Sequence, residues 1–237
     1  MEKTALKKIK AKLKANANSK KSKILQSFFK TGIGEYAQGD IFLGVTVPKT
    51  REIAREFIDL QKNDIRELLK SKYHEQRLLA LLIMVEQFKG ANQTQRSQLY
   101  KIYIKNTKYI NNWDLVDLTA PKIIGEFLTK SNRQILYQFA LSDKLWEKRI
   151  SIIATFCFIK NNDFKDTLKI SRILLNDAHD LIHKAVGWML REVGKRDLTA
   201  EEAFLKKYYK QMPRTMLRYA IEKFPQDKRL AYLKSQI

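Results

Sequence analysis

The chain is poor in several residues on which other folds and sites depend. It contains one cysteine, Cys157, so intramolecular disulfides and cysteine-ligated zinc are excluded and a reducing compartment is expected. Valine is scarce, and no stretch alternates apolar and polar residues convincingly, which leaves β-strands unsupported. The four prolines (Pro48, Pro121, Pro213, Pro225) stand where helices could begin. No run approaches the ~18 apolar residues that cross a bilayer, and the opening, Met1 to Lys14, alternates lysines with single apolar residues and lacks a signal-peptide core. A soluble protein of the cytoplasm is therefore expected. Histidine offers little to a metal: His179 and His183 stand one turn apart around Asp180, but no third ligand follows at a suitable spacing. Phosphate-loop, dinucleotide and Ser/His/Asp patterns are missing as well. Neither metal nor cofactor is expected.

Positive charge is what the chain has in excess. Its 46 Lys+Arg against 25 Asp+Glu give a formal net charge of +21, which favours a polyanionic partner. Nucleic acid ranks above a membrane surface, because no basic helix carries a spare bulky apolar face. A hydrophobic content of 44% is enough for a substantial core.

Helical periodicity runs almost throughout. Leu78, Leu81, Leu82 and Val85 fall at i, i+3, i+4, i+7, and Ile150, Ile153, Ala154 and Cys157 repeat the spacing. Ile182, Ala185, Val186 and Met189 show it again, as do Leu217, Ala220, Ile221 and Phe224. Arg77-Leu78-Leu79-Ala80-Leu81 also matches Arg149-Ile150-Ser151-Ile152-Ile153 in local pattern, and Lys184 to Trp188 echoes both loosely. The expected fold is all-α: a superhelical stack of antiparallel helix pairs, a HEAT-like α-solenoid. One domain over residues 1–237 is expected, with an irregular loop at about 31–46 that holds four of the eight glycines. Tyr36, Ile41, Phe42 and Leu43 within it call for burial.

The tryptophans sort by helical phase. Trp146 shares the stripe of Ile150 and Ile153 and is expected in the core. Trp188 lies opposite its apolar stripe, in a row with Lys184, Arg191 and Lys195. Either another helix packs there, or the ring and its flanking cations face a nucleic-acid backbone. Trp113 follows a plausible N-cap, Asn112, and shares a face with Asp117, opposite Leu115 and Leu118. Asp114 in the first turn suits the helix dipole. Asp117 has two readings: a salt bridge to a nearby cation, or a carboxylate that stabilises developing positive charge or orients water. Arg149, beside Trp146, reads as a boundary residue with its head group at the surface. Arg214 and Arg218 flank a late apolar stripe and could reach phosphate. The lysines of the opening suit a solvated face that adds salt-sensitive affinity for DNA.

Trp113-Asp114-Leu115-Val116-Asp117, Leu145-Trp146-Glu147-Lys148-Arg149 and the segment from Ile182 to Glu192 together resemble the AlkD-type DNA alkylation repair family. Phe42-Leu43-Gly44-Val45-Thr46-Val47-Pro48 is similar to that family's N-terminal signature. The resemblance implies a HEAT-like superhelix that holds duplex DNA containing alkylated purines and hydrolyses the N-glycosidic bond of N3- and N7-alkylpurines without a deep base pocket. It implies that Trp113 and Trp188 contact the lesion deoxyribose, that Asp117 stabilises the oxocarbenium-like sugar and places water, and that Arg149 holds a phosphate. Lys184, Arg191, Lys195, Arg214 and Arg218 are the remaining expected DNA contacts, and a monomer is expected. The competing functions are a non-catalytic binder of damaged or branched DNA and a protein-binding helical scaffold.

Overall fold

A computed structural model describes residues 2–237, with side chains from residue 5 onward. The part of the lysine-rich opening on residues 1–4 lies outside the described side chains. Two helices, α1 (Glu2–Ala15) and α2 (Ser19–Phe28), precede an irregular stretch that ends at residue 46. Then come α3 (Val47–Glu56), α4 (Lys62–Leu69), α5 (His74–Gly90), α6 (Gln93–Lys105) and α7 (Trp113–Ala120). They are followed by α8 (Glu126–Leu128), α9 (Gln134–Ala140), α10 (Leu145–Ala154), α11 (Phe156–Lys160) and α12 (Lys165–Ile173). The last are α13 (Asp180–Gly194), α14 (Leu198–Tyr208), α15 (Arg214–Ala220) and α16 (Gln226–Leu233). Among the described residues the one strand-like pairing is an isolated bridge between Ile41 and Tyr73. The fold is all-α, of the helical-repeat solenoid class.

Contacts gather into two compact units, residues 1–123 and 124–237. In the first, α1, α3, α4, α6 and α7 all pack on α5. The stripe Leu78, Leu81, Leu82, Val85 is buried as its spacing requires, but so are Leu79, Ala80, Ile83 and Met84 on the other faces. A helix apolar all round is a central helix, and α5 is that element here. In the second unit α13 has this place, packed against α10, α12, α14 and α15. Gly187 lets α15 come close: a Cβ there would meet the Met216 carbonyl oxygen, and the Tyr219 Cβ at 2.5 Å.

Three local expectations change. Trp146 is only half-buried, because the buried face of α10 is formed by Glu147, Arg149 and the run Ile150 to Ala154. Arg149 is buried as well, and its Nη1 donates to the Leu181 carbonyl, so it is not a surface head group. Pro48, Pro213 and Pro225 do stand at helix starts, whereas Pro121 follows α7 directly and opens a π-helical turn, Pro121–Gly125. Proline lacks the N–H and crowds the carbonyl four residues back, and the wider turn relieves both.

The irregular stretch is tied down by buried charge. The Glu75 carboxylate, at the start of α5, accepts the backbone N–H groups of Leu43 (2.9 Å), Gly44 (2.8 Å) and Val45 (3.2 Å). Gly44 has φ +83°, and a Cβ there would lie 2.8 Å from the Ser22 nitrogen, so this position requires glycine. Phe42 is buried, whereas Ile41 keeps 37% of its surface exposed. Asp40 accepts from Arg77 Nη2 at 2.6 Å and from His74 Nδ1 at 3.1 Å. The other imidazole nitrogen, Nε2, lies 2.9 Å from Asp114 Oδ2. Asp114 is thus a buried ion-pair partner rather than a residue serving only the helix dipole.

Burial pulls the His74 pKa down, but the Asp114 charge and the hydrogen bonds to Asp114 and Asp40 outweigh it and raise it to about 9. Burial pushes the Asp40 carboxyl up, while His74, Arg77 and Asn112 together hold it below its ordinary value. Since the folded pKa of His74 exceeds the unfolded value of 6.5, its contribution is complete below pH 6.5 and is lost as pH rises through about 9. Glu201, raised to about 8 by burial and then by Glu202, titrates in an overlapping range. In a Glu201→Gln background the unfolding free energy should fall by on the order of 3 kcal/mol between pH 6.5 and 9 in denaturant titrations. A flat profile would mean that His74 is neutral in the fold. Gly187→Ala should cost about 1–3 kcal/mol in the same assay, because helix backbone rather than a flexible side chain must give way.

Candidate nucleic-acid interface

On α7, Asn112 is the N-cap and its Oδ1 accepts the Trp113 N–H at 2.8 Å. Asp114, Leu115, Val116, Thr119 and Ala120 are buried, which leaves Trp113, Asp117 and Leu118 on the half-open side. Leu118 was expected on the buried side with Leu115; the buried arc is instead centred on Leu115, Val116 and Thr119. Trp113 and Asp117 share a face one turn apart, as their spacing predicts.

The Trp113 ring is held from behind. It stacks on Phe29, with centroids 5.0 Å apart and an interplanar angle of 17°. Phe29 stacks in turn on Phe42 at 4.9 Å, and Phe42 on the His74 imidazole at 4.3 Å. Phe28 meets Trp113 edge-on at 6.0 Å. The indole is thus one end of a pile of flat groups whose other end is the buried ion cluster. Burial, and also the nearby Asp117 charge, push the Tyr103 hydroxyl well above its ordinary pKa; this hydroxyl bonds Thr119 Oγ1 at 3.1 Å on the inner side of α7. An apolar cavity of about 310 Å³ opens beside Phe29 and Phe42, reaching Leu25, Val45 and Leu78. Neither Trp113 nor Asp117 lines it.

The other expected site residues all belong to the second unit. Trp188 is half-buried on α13, 6.0 Å from the Phe156 ring, and its Nε1 donates to Glu192 Oε1 at 3.3 Å. Its row of cations is present but already engaged. Lys184 Nζ pairs with Asp180 at 2.7 Å and Lys195 Nζ with Glu192 at 2.6 Å. Arg191 pairs with Glu222 and lies 3.8 Å from Glu192. Arg214 donates to the Leu233 carbonyl at 2.6 Å, while Arg218 is exposed and makes no ion pair among the described residues. His179 caps α13, its Nδ1 accepting the Leu181 N–H at 3.1 Å, and His183 Nε2 bonds the Asp177 carbonyl at 2.5 Å.

Sequence reasoning did not single out His74, Asp40, Phe29 or Glu192. A usable signal was available for His74: it is one of three histidines and opens His74-Glu75-Gln76-Arg77, the polar first turn of α5 directly ahead of the apolar run Leu78 to Val85. Glu192 offered none, being one more charged residue among its neighbours.

The pattern of the DNA alkylation repair enzyme family matches residues 9–224. A solved structure from Enterococcus faecalis, described as a predicted DNA alkylation repair enzyme, superposes with a TM-score of 0.70 at 14% identity, covering 89% of this chain and 98% of that one. At that identity the likeness speaks for the fold. No curated protein matches the chain. The family pattern spans nearly every helix described above, including α7, α10 and α13, and the chain belongs to the DNA alkylation repair enzyme family.

Proposed function

We propose that the protein is a DNA glycosylase that hydrolyses the N-glycosidic bond of cationic N3- and N7-alkylpurines in duplex DNA, without drawing the base into a deep pocket. The observation that carries this reading is the α7 face. A carboxylate and an indole lie one turn apart on a half-open surface, the indole buttressed by Phe29 and neither group lining the adjacent cavity.

The chemistry asks little of the protein. An N3- or N7-alkylpurine already carries positive charge, so it leaves with the bonding electron pair as a neutral base and needs no general acid. The sugar is left electron-poor, and water adds at the carbon that loses the base. Asp117 stabilises that developing charge and orients the water, whose proton it can accept. The indole face of Trp113 rests against the deoxyribose and adds cation–π attraction. A preorganised ring matters because a side chain free to rotate would lose order on contact with DNA, and the stack on Phe29 has already fixed Trp113.

Arg149 is the phosphate contact of this reading. Its Nη1 donates to the Leu181 carbonyl, and a planar guanidinium matches the geometry of phosphate oxygens. Lys184, Arg191, Lys195, Arg214 and Arg218 supply weaker contacts, since most must exchange a protein partner for a phosphate. The exposed Lys184–Asp180 pair exchanges at little cost, about 0–1 kcal/mol, whereas the Glu192 that holds Arg191 and Lys195 is buried. The protein acts as a monomer in the cytoplasm, at the nucleoid.

Base release from a duplex containing 7-methylguanine tests the proposal directly. Asp117→Asn should lower the single-turnover rate by about 100-fold or more, while duplex affinity holds or improves because a charge that repels phosphate is gone. A variant that cleaves as fast as the parent would remove Asp117 from the mechanism. Uracil, a neutral base, should not be excised at a comparable rate. Equal release of uracil and 7-methylguanine would show that the charge of the leaving base does not drive the reaction.

A further inference from the structure

The net charge of +21 is unevenly placed. Residues 3–34 hold ten lysines and no aspartate, glutamate, arginine or histidine. Elsewhere carboxylates are interspersed among the lysines and arginines, and Lys184, Arg191 and Lys195 are paired with them. Within this acid-free segment, Lys10 reaches Glu67 at 3.0 Å and Lys12 reaches Glu56, both from other helices. Lys7, Lys8, Lys14, Lys20, Lys21 and Lys23 are exposed and make no ion pair among the described residues.

The helices that carry them are tied to the first unit at defined points. Leu6, Ile9 and Leu13 of α1 are buried against the first unit, which turns Lys7, Lys8 and Lys14 outward. Asn18 N–H donates to the Leu43 carbonyl at 2.9 Å, Asn18 Oδ1 caps α2, and Ser22 Oγ donates to the Phe42 carbonyl at 2.7 Å. The α2 lysines are thereby fixed to the same loop that backs Trp113.

From this we infer that α1 and α2 form the principal phosphate-gripping surface of the protein, and that it binds duplex DNA through its backbone without reading sequence. The inference deepens the DNA-repair reading proposed above and rests on it for the identity of the polyanion. The physical reason is counterion release. A lysine in water that meets a phosphate displaces a condensed cation from the DNA, whereas a lysine already neutralised by a carboxylate must first give up its partner and leave that carboxylate near the phosphates. The row on α13 is of the second kind and the α1–α2 surface is of the first. Duplex DNA is favoured over a lipid surface because the apolar residues of α1 are committed to the core and cannot enter a bilayer. On α2, Ile24 and Phe28 are 67% and 62% exposed, so vesicles belong in the test.

The test is fluorescence anisotropy with an undamaged duplex of about 20 base pairs across a salt series. Three proteins are compared: wild type, a variant with Lys7, Lys8, Lys14, Lys20, Lys21 and Lys23 each changed to Gln, and a variant with Lys184, Arg191 and Lys195 each changed to Gln. The six-site variant should flatten the slope of log K against log salt by roughly 3 or more, at about 0.9 per lost phosphate contact, and the α13 variant by less than about 1. The same six lysines changed to Arg should keep the wild-type slope, which separates lost charge from lost folding. An unchanged slope in that variant, or a larger effect from the α13 set, overturns the inference while leaving the glycosylase reading intact. Tighter binding to phosphatidylserine vesicles than to the duplex, lost in the six-site variant, overturns it in favour of a membrane. Absence of base release from wild type sinks the glycosylase reading alone, since the slopes do not depend on it.

Discussion

A charge removed from water must find charge or hydrogen-bond donors inside the protein, and several segments of the first unit take their positions from that requirement. Asp40, His74, Arg77 and Asp114 are all buried, and they balance: two carboxylates against one imidazolium and one guanidinium. Asp40 comes from the irregular stretch, His74 and Arg77 from the first turn of α5, and Asp114 from the first turn of α7. Asn111 and Asn112 add donors to Asp40 at 3.4 and 3.3 Å. A network of this kind contributes little net stability compared with an apolar replacement, but losing one member costs about 3–5 kcal/mol because a charge is then left buried and unpaired. Its effect is therefore positional. It sets where α7 begins, and with it where Trp113 and Asp117 stand.

The same logic recurs in the second unit with different partners. Glu75 and Arg77 on α5 and Glu147 and Arg149 on α10 share a spacing, and all four are buried. Glu75 is satisfied by three loop amides, whereas Glu147 accepts from Ser142 Oγ at 2.6 Å and Lys144 Nζ at 3.1 Å. Each arginine donates to a carbonyl, Arg77 to Ser71 and Arg149 to Leu181. A helical repeat has to fasten each long helix to its neighbours, and a buried Glu and Arg near the helix start do so directionally, as apolar contact cannot.

Glu192 shows how a carboxylate can organise a basic surface. It receives Trp188 Nε1 and Lys195 Nζ, with Arg191 and Arg196 within 3.8 and 3.6 Å. The cluster keeps like charges from repelling one another and orients the indole on the same helix. The α13 cations are paired with carboxylates, whereas Lys7, Lys8, Lys14, Lys20, Lys21 and Lys23 make no ion pair among the described residues.

The amino-acid sequence determined the helical class, because a 3.6-residue apolar period survives whatever packs against it. Stripes on α5, α10, α13 and α15 were legible for that reason, and so was the shared face of Trp113 and Asp117, which needs only helical phase. Tertiary structure decided the remainder. Asp114 became half of an ion pair because its partner, His74, lies 40 residues earlier in the chain, beyond any local pattern. Trp146 moved toward the edge and Arg149 into the interior because which side of α10 is covered depends on α9 and α13, not on α10 itself. The cations around Trp188 lost their freedom to Asp180, Glu192 and Glu222, and whether a lysine is paired or open is a matter of distance in space.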